Sequence, residues 1–364
     1  MKPNIQPKKK IAFCITCMNR LHHLQQTLEK NIQDNYLPND VEFVLLDYNS
    51  KDGLEEWIHQ NMQLYIDNEI LVYYRTFEPE YYFRSHSRNM AFRLANAKIL
   101  CNLDADNFLG KGFASFMISE FATQKSIFYT SNESDHDTFG RICVKQKDFL
   151  SIKGYNESLQ GYGYEDVDLF DRLVKSGLTR KYFHNPEFYH SVRHSKVERV
   201  ANEYMIKNIE RVYITYINPY SSGILLLYKD HTFHHCTLVD TPHLYYLPHF
   251  LLPDNYVEER NKVTLLEDYQ KGNWQETNNE ITLNQNQYVD VFPKEKSEIY
   301  YQNRQYYLIS DKELEMELVI LLTVAMNRYS AQKQLKENQA VNPDGFGKGI
   351  VFKNFDKKTK IVLS

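Results

Sequence analysis

The chain lacks any run of the eighteen or so apolar residues that a membrane-crossing helix needs; Leu318 to Met326 and Ile224 to Tyr228 are far too short. Its N-terminus has no apolar signal region, so a secretory address is not expected. Cysteine is scarce: five residues, an odd number without dense spacing, exclude a disulfide framework and point to a reducing compartment. We therefore expect a cytoplasmic protein, with peripheral contact at the inner face of a membrane left open. There is little charge imbalance, a net charge of -4 with dispersed basic residues, which excludes an extended cationic face for nucleic acid. Tryptophan is nearly absent, two residues against 28 tyrosines, in a chain that is 42% hydrophobic and 14% aromatic. That composition belongs to a folded protein with many amphipathic contact surfaces.

Cys14 and Cys17 form a Cys-x-x-Cys within the apolar run IAFCITC, where alternation sends the two side chains to opposite faces. With no second pair to complete a zinc site, both read as core residues.

The first half alternates strand and helix. Strands are expected at Ile11–Cys17, Val41–Asp47, Ile70–Tyr74 and Ile99–Leu103, and helices at Leu21–Ile32, Leu54–Met62 and Ser87–Ala97. Such alternation predicts an α/β domain around a mostly parallel sheet, with ligands collecting beyond the carboxyl ends of the strands. Asp47, Asp104 and Asp106 fall at such ends. A helix from Lys196 to about Tyr216 is expected to close a first domain of residues 1–220, leaving 221–364 as a smaller mixed α+β accessory region. There Ser310 and Glu313 suggest a capping box for a helix through about Lys336, with Leu314, Leu318, Leu321, Leu322 and Ala325 as its apolar stripe. His231, His234 and His235 make a dense but irregular group, read as packing in preference to a metal site.

Asp-x-Asp occurs at Asp104/Asp106, Asp135/Asp137 and Asp166/Asp168. Only the first follows a strongly apolar strand, KILCNLDAD, where a period of two aims both carboxylates one way. Converging carboxylates repel unless a cation or donors lie between them, which suits a divalent metal holding a diphosphate. A solvated turn is the alternative. In GYGYEDVDLFDRL, Gly161 to Leu173, two glycines permit a tight bend, Tyr162 and Tyr164 offer ring faces for a sugar, and Glu165 and Asp166 open a helix.

These segments resemble GT-A fold glycosyltransferases, a Rossmann-like architecture for nucleotide-diphospho-sugars, over roughly residues 10 to 200. The first strand followed by Met18-Asn19-Arg20, the Asp47 strand end, Arg88-Asn89 and Asp104-Ala105-Asp106 recur in that order in inverting family-2 enzymes. Phe139 to Gly177 is similar to the Gly-Trp-Gly-x-Glu-Asp segment of β-1,4-galactosyltransferases and chondroitin-type polymerases, and Val192-Arg193-His194-Ser195 resembles their metal-histidine segment. The resemblance implies that Asp106 and His194 hold the metal, Mn2+ with Mg2+ as the alternative, and His190 is the rival to His194. Ser191 stands where those enzymes carry a methionine ligand, and Tyr162 where they carry tryptophan.

The resemblance further implies Asp166 as general base and Glu165 as an acceptor-holding residue. Thr16, Arg20, Asp47, Arg88 and Asp104 would lie around a UDP-sugar donor, and Tyr162, Gly163 and Tyr164 around a saccharide or glycolipid acceptor. The implied activity is inverting transfer of a hexose or N-acetylhexosamine, galactose-type favoured, to a saccharide hydroxyl in polysaccharide or glycoconjugate synthesis. Two alternatives stand beside it. A carbohydrate-binding protein could keep the fold without the chemistry. A sugar nucleotidyltransferase would need a glycine-rich loop after the first strand, and Cys17-Met18-Asn19-Arg20 has no glycine.

Overall fold

The computed structural model describes residues 9–132, 137–219, 221–240, 263–265, 270–277, 280–285, 288–293 and 298–364; Asp135 lies outside them. The chain divides into two compact units. The first takes in the chain up to Gln160, Tyr164–Asn202 and Gln334–Ser364; the second takes in Gly161–Gly163 and Glu203–Lys333.

The first unit begins with β1 (Lys9–Cys17), α1 (Leu21–Asn35), β2 (Val41–Tyr48), α2 (Leu54–Asn61), α3 (Gln63–Asp67), β3 (Leu71–Thr76), α4 (Arg84–Leu94) and β4 (Ala97–Asn102). It continues with β5 (Asn107–Phe108), α5 (Phe113–Thr123), β6 (Ile127–Thr130), β7 (Ile142–Lys145), α6 (Gln146–Ser151), α7 (Glu165–Lys175), β8 (Thr179–Tyr182), β9 (His190–Ser191) and α8 (Lys196–Val200). In the second unit, α9 (Tyr204–Lys207) leads into β10 (Ile209–Asn218), β11 (Ser221–Tyr228), β12 (Thr232–Asp240), β13 (Val263–Leu265) and β14 (Gln270–Glu276). Then come β15 (Glu280–Gln285), β16 (Tyr288–Pro293), β17 (Glu298–Tyr301), β18 (Arg304–Leu308) and α10 (Lys312–Lys336). The chain returns to the first unit as β19 (Gly349–Lys353) and β20 (Lys360–Leu363).

The large sheet of the first unit runs β20-β19-β3-β2-β1-β4-β7-β6-β8. Its centre, β3-β2-β1-β4, is parallel as expected, while β7 and β19 join it antiparallel. Alternation along β1 divides the core. Ile11, Phe13, Ile15 and Cys17 face a cluster containing Leu28 of α1 and Met117 of α5; Ala12 and Cys14 face one containing Met90 of α4 and Leu169 of α7. Cys14 and Cys17 thus lie on opposite faces, both free and buried.

Three expectations need correction. The first unit ends near Asn202, not at residue 220, and the final thirty-one residues belong to it, because β19 pairs with β3 and buries Val351. The long helix expected over Lys196–Tyr216 is two short helical turns followed by β10, since the Val-Tyr-Ile-Thr-Tyr-Ile run is β-branched and aromatic and favours a ladder. Helix α10 is capped by Asp311, whose Oδ1 accepts from the Glu313 and Leu314 backbone N–H groups, and not by Ser310. Its buried stripe is Leu318, Val319, Leu322 and Ala325, with Leu314 and Leu321 exposed. The second unit is otherwise an antiparallel sheet ordered β16-β15-β14-β12-β11-β10-β18-β17. His235 donates to or accepts from Tyr306 at 2.6 Å while His234 packs on Tyr228, so the neighbouring histidines diverge across β12.

One local device orders the backbone beyond β4. Thr27, Asn31 and Asn35 recur every four residues on α1 and form a buried polar stripe. Thr27 Oγ1 donates to the Ala105 carbonyl at 2.7 Å. Asn31 Nδ2 donates to Asn107 O at 2.8 Å while its Oδ1 accepts from Leu109 N at 2.8 Å. Asn35 does the same for Gly110 O and Ala114 N. The stripe holds the irregular backbone that follows β4 by its own polar groups, which would otherwise be buried unpaired. Asn31→Ala strands one carbonyl and one N–H, and should cost roughly 2–4 kcal/mol. A urea-unfolding midpoint equal to the parent's would show that the stripe does not carry this stability.

Candidate active site

The segment after β4 carries Asp104 and Asp106, and a two-stranded ladder carries it to its partners. Strands β5 and β9 pair antiparallel, Asn107 opposite Ser191 and Phe108 opposite His190, and Val192 N donates to Asp106 O at 2.7 Å. That register brings His194 Nε2 to 2.7 Å from Asp106 Oδ2. The Asp106 hydrogen bond raises the His194 pKa against the opposing effect of burial. His190 is exposed, its Nε2 3.9 Å from Glu187. Asn107 Nδ2 donates to the other Asp106 oxygen and to the Asp137 carbonyl, and Asp137 pairs with Arg199 at 2.6 Å. Asp137 therefore buttresses this corner.

Asp104 lies in different surroundings. Arg88, on α4 and 2% exposed, donates from Nη2 to Asp104 Oδ1 at 3.1 Å and from Nη1 to Asp166 Oδ1 at 2.9 Å and Glu165 Oε1 at 3.2 Å. Asn102 Nδ2 also donates to Asp104 Oδ1 at 3.0 Å. Burial pushes the Asp104 carboxyl up, but Arg88, the Asn102 hydrogen bond and Arg84 together outweigh it and hold the pKa below its ordinary value. Asp166 goes the other way. Burial, reinforced by Glu165 and Asp104 and opposed by Arg88, pushes its pKa from 3.8 to about 7. Ionised Asp166 therefore costs stability, a cost that sets in as pH rises past 3.8 and is complete above about 7.

The second oxygens of Asp104 and Asp166 face Gly140. A Cβ there would stand 3.1 Å from Asp166 Oδ2, 3.3 Å from Asp104 Oδ2 and 3.0 Å from Arg88 Nη2. Among the described residues, none hydrogen-bonds the buried Glu165 Oε2.

Local backbone explains why α7 presents this pair. Tyr164 precedes the helix at φ 72°, and Gly161 and Gly163 also have positive φ. Glycine adopts such angles freely; Tyr164 does so at the strain cost expected of a fixed functional turn. Tyr162 and Gly163 belong to the second unit, where Thr323 Oγ1 donates to Tyr162 O at 3.1 Å and Asn327 Nδ2 to Gly163 O at 2.8 Å.

The remaining sequence candidates have protein partners. Thr16 Oγ1 is 2.7 Å from Tyr82 OH at the carboxyl end of β1. Asp47 is fully buried: Oδ1 accepts from Ser50 N, and Oδ2 accepts from Tyr73 OH with Arg75 Nε 3.5 Å away. Asp47 shapes the turn after β2. Arg20 donates to the Glu198 carbonyl and lies 3.4 Å from Glu198 Oε1 and 3.3 Å from His23 Nδ1. Sequence reasoning missed this group. His22, His23 and Glu198 offer ligand atoms within 4.8 Å of one another, but the Arg20 guanidinium already supplies the positive charge there. It also missed Arg88 as the centre of three carboxylates, because those acids lie far along the chain from it.

Arg88→Met should leave three carboxylates without their cation and destabilise the fold by about 3–5 kcal/mol at neutral pH. The loss should shrink as the medium is acidified and Asp166 protonates, measurable by thermal unfolding across pH. A loss that stayed constant with pH would argue against this charge account.

With that geometry in place, residues 12–160 match the family model described as glycosyl transferase family 2, and residues 128–207 match the model described as N-terminal domain of galactosyltransferase. Chondroitin sulfate synthase 3 of Homo sapiens and of Mus musculus are each 42% identical over 40 residues, 11% of this chain. The chain spans only 4% of the length of those curated relatives. Among solved structures, a mannosyltransferase of Pyrobaculum calidifontis in complex with GDP-Man and Mn2+ is 14% identical, covering 56% of this chain and 61% of that one at a TM-score of 0.43. A Drosophila β-1,4-galactosyltransferase 7 mutant in complex with manganese, UDP-Gal and xylobiose is 13% identical, covering 52% of this chain and 73% of that one at a TM-score of 0.36. Both family models describe glycosyltransferases, so residues 12–160 are similar to family-2 glycosyltransferases and residues 128–207 to galactosyltransferases.

Proposed function

We propose that the first unit catalyses inverting, metal-dependent transfer of a hexose or N-acetylhexosamine, galactose-type favoured, from a UDP-sugar to a saccharide hydroxyl. The observation that carries the reading is the division of labour among the acids. Asp106 meets His194 at 2.7 Å, and Asp104, Glu165 and Asp166 meet on Arg88. A carboxylate and an imidazole form an oxygen and nitrogen donor set that fits Mn2+ or Mg2+, and Asp106 and His194 would hold it. When bound, such a cation neutralises charge on the departing diphosphate.

The chain's own groups account for the acceptor side. Asp166, with its pKa lifted to about 7, is a base poised near neutrality, unlike an ordinary carboxylate. It removes the acceptor hydroxyl proton while that oxygen bonds to the anomeric carbon and the carbon–oxygen bond to the diphosphate breaks, UDP leaving with the electron pair. Attack from the face opposite the leaving group inverts the anomeric centre. Glu165, with Oε2 unpartnered, accepts from a second acceptor hydroxyl and orients the sugar. Arg88 keeps Asp166 in place and keeps the three acids from repelling one another. Tyr164 and the Tyr162–Gly163 turn are assigned to acceptor binding, and Thr16 and Arg20 to the donor side.

UDP release from UDP-sugars with Mn2+ and a saccharide acceptor tests the activity; no turnover with any nucleotide sugar would overturn it. Asp166→Asn should lower transfer by at least about a thousandfold while leaving donor affinity within severalfold, and Asp106→Ala should abolish metal-dependent donor binding. With parent protein, kcat/KM should rise about tenfold per pH unit below an apparent pKa near 7 and level off above it. A flat profile between pH 5 and about 8 would remove Asp166 from the base role. Metal affinity should fall as pH drops through the raised His194 pKa, because the proton and the cation compete for one nitrogen.

A further inference from the structure

The strands that end at the catalytic residues begin at the far edge of the same sheet, and that edge carries a cavity of about 540 Å³. Its walls are apolar, from Ile99 at the start of β4 and Ile118, Phe121 and Ala122 on α5. Lys10, Lys98, Lys145 and Lys147 ring it, because β1 and β4 start here and the antiparallel β7 finishes here, Lys145 opposite Ile99. Lys10 is 2.9 Å from Asp40 Oδ2. Lys145 Nζ donates to the carbonyls of Gln124 and Lys125 and stands 5.8 Å from the Phe121 ring centroid. Lys98 and Lys147 are exposed, and among the described residues neither has a carboxylate partner.

A hollow with apolar walls and a cationic rim is complementary to an anionic amphiphile. Inorganic phosphate would gain nothing from the apolar walls. A single-stranded nucleic acid would need exposed rings to stack on, and Phe121 is only 7% exposed. We propose that this face docks the protein on the anionic leaflet of a phospholipid membrane, the Lys98 and Lys147 ammonium groups on lipid phosphates and an acyl segment against Ile118 and Ala122, the apolar side chains that stay accessible there. No helix among the described residues is long and apolar enough to cross a membrane, so the contact is interfacial. Nine residues of β1 separate the two edges by roughly 30 Å, which turns Asp104 and Asp106 away from the lipid. The inference is independent of which sugar is transferred.

The test is co-sedimentation of the full chain with vesicles of phosphatidylcholine alone and of phosphatidylcholine mixed with phosphatidylglycerol. Binding is expected only with phosphatidylglycerol and should weaken as salt is raised. Lysines near an anionic surface each contribute a factor of about five in binding, so Lys98→Gln with Lys147→Gln should lose roughly thirtyfold. That double variant should keep the parent's melting temperature and its UDP release on soluble substrates. Ala122→Glu, exposed at the cavity, should weaken binding to the same vesicles through repulsion and lost apolar contact. Equal sedimentation with both vesicle types, or none with either, would overturn the proposal. So would unchanged binding in the double variant, or displacement by inorganic phosphate or RNA at matched phosphate concentration.

Discussion

A single buried guanidinium holds the acidic cluster together. Arg88 reaches Asp104, Glu165 and Asp166 from α4, and these acids come from two elements separated by some sixty residues of chain. Without a cation among them, three carboxylates this close could not all remain ionised in an interior of low polarity. With one, the balance is uneven. Asp104 stays ionised, while burial, reinforced by the repulsion of Glu165 and Asp104, pushes the Asp166 pKa up to about 7. Stability and reactivity are therefore set by the same contact: the arginine that permits the acids to gather also fixes which of them can take a proton.

The surroundings explain how such a cluster is positioned on irregular backbone. Beyond β4 the chain leaves the sheet, and its peptide groups find partners in side chains of α1 and not in a neighbouring strand. The short β5–β9 ladder then fixes the other component, since a shift of one residue in its register would turn the segment leading to His194 over. Arg141 reinforces the same corner, fully buried, donating to Asn107 Oδ1 and to the Phe108 and Phe188 carbonyls. Polar side chains spent on backbone in this way contribute little net energy each, but their removal leaves buried groups unpaired. That asymmetry makes the region rigid.

Much of this could be read from sequence where the signal is periodic. The apolar runs of β1, β2 and β4 and the helical spacing of α7 placed the parallel sheet, and the opposite faces of Cys14 and Cys17 followed from alternation alone. Pairings between distant segments could not be read. The return of β19 to β3 rests on a short GIVFK strand with no distinctive pattern. Residues 209–218 carry apolar positions compatible with either period, and sheet pairing decided between them. Asp47 shows the limit for single residues: its bond to Ser50 N is local, but the Tyr73 and Arg75 side chains reach it from β3, a neighbour that local sequence does not reveal.

The Asp-x-Asp motif itself shows why spacing is a weak guide to role. A strict period of two would aim Asp104 and Asp106 together, as carboxylates sharing one cation. The strand stops at Asn102, however, and the intervening turn sends the two into different neighbourhoods. Asp104 is neutralised by an arginine the protein supplies, and Asp106 is met by the His194 imidazole. Under the proposed transfer, one carboxylate therefore belongs to the acceptor-side charge cluster and the other to the donor side. A motif that reads as a symmetric pair thus joins two halves of a site that carry different charge and have different tasks.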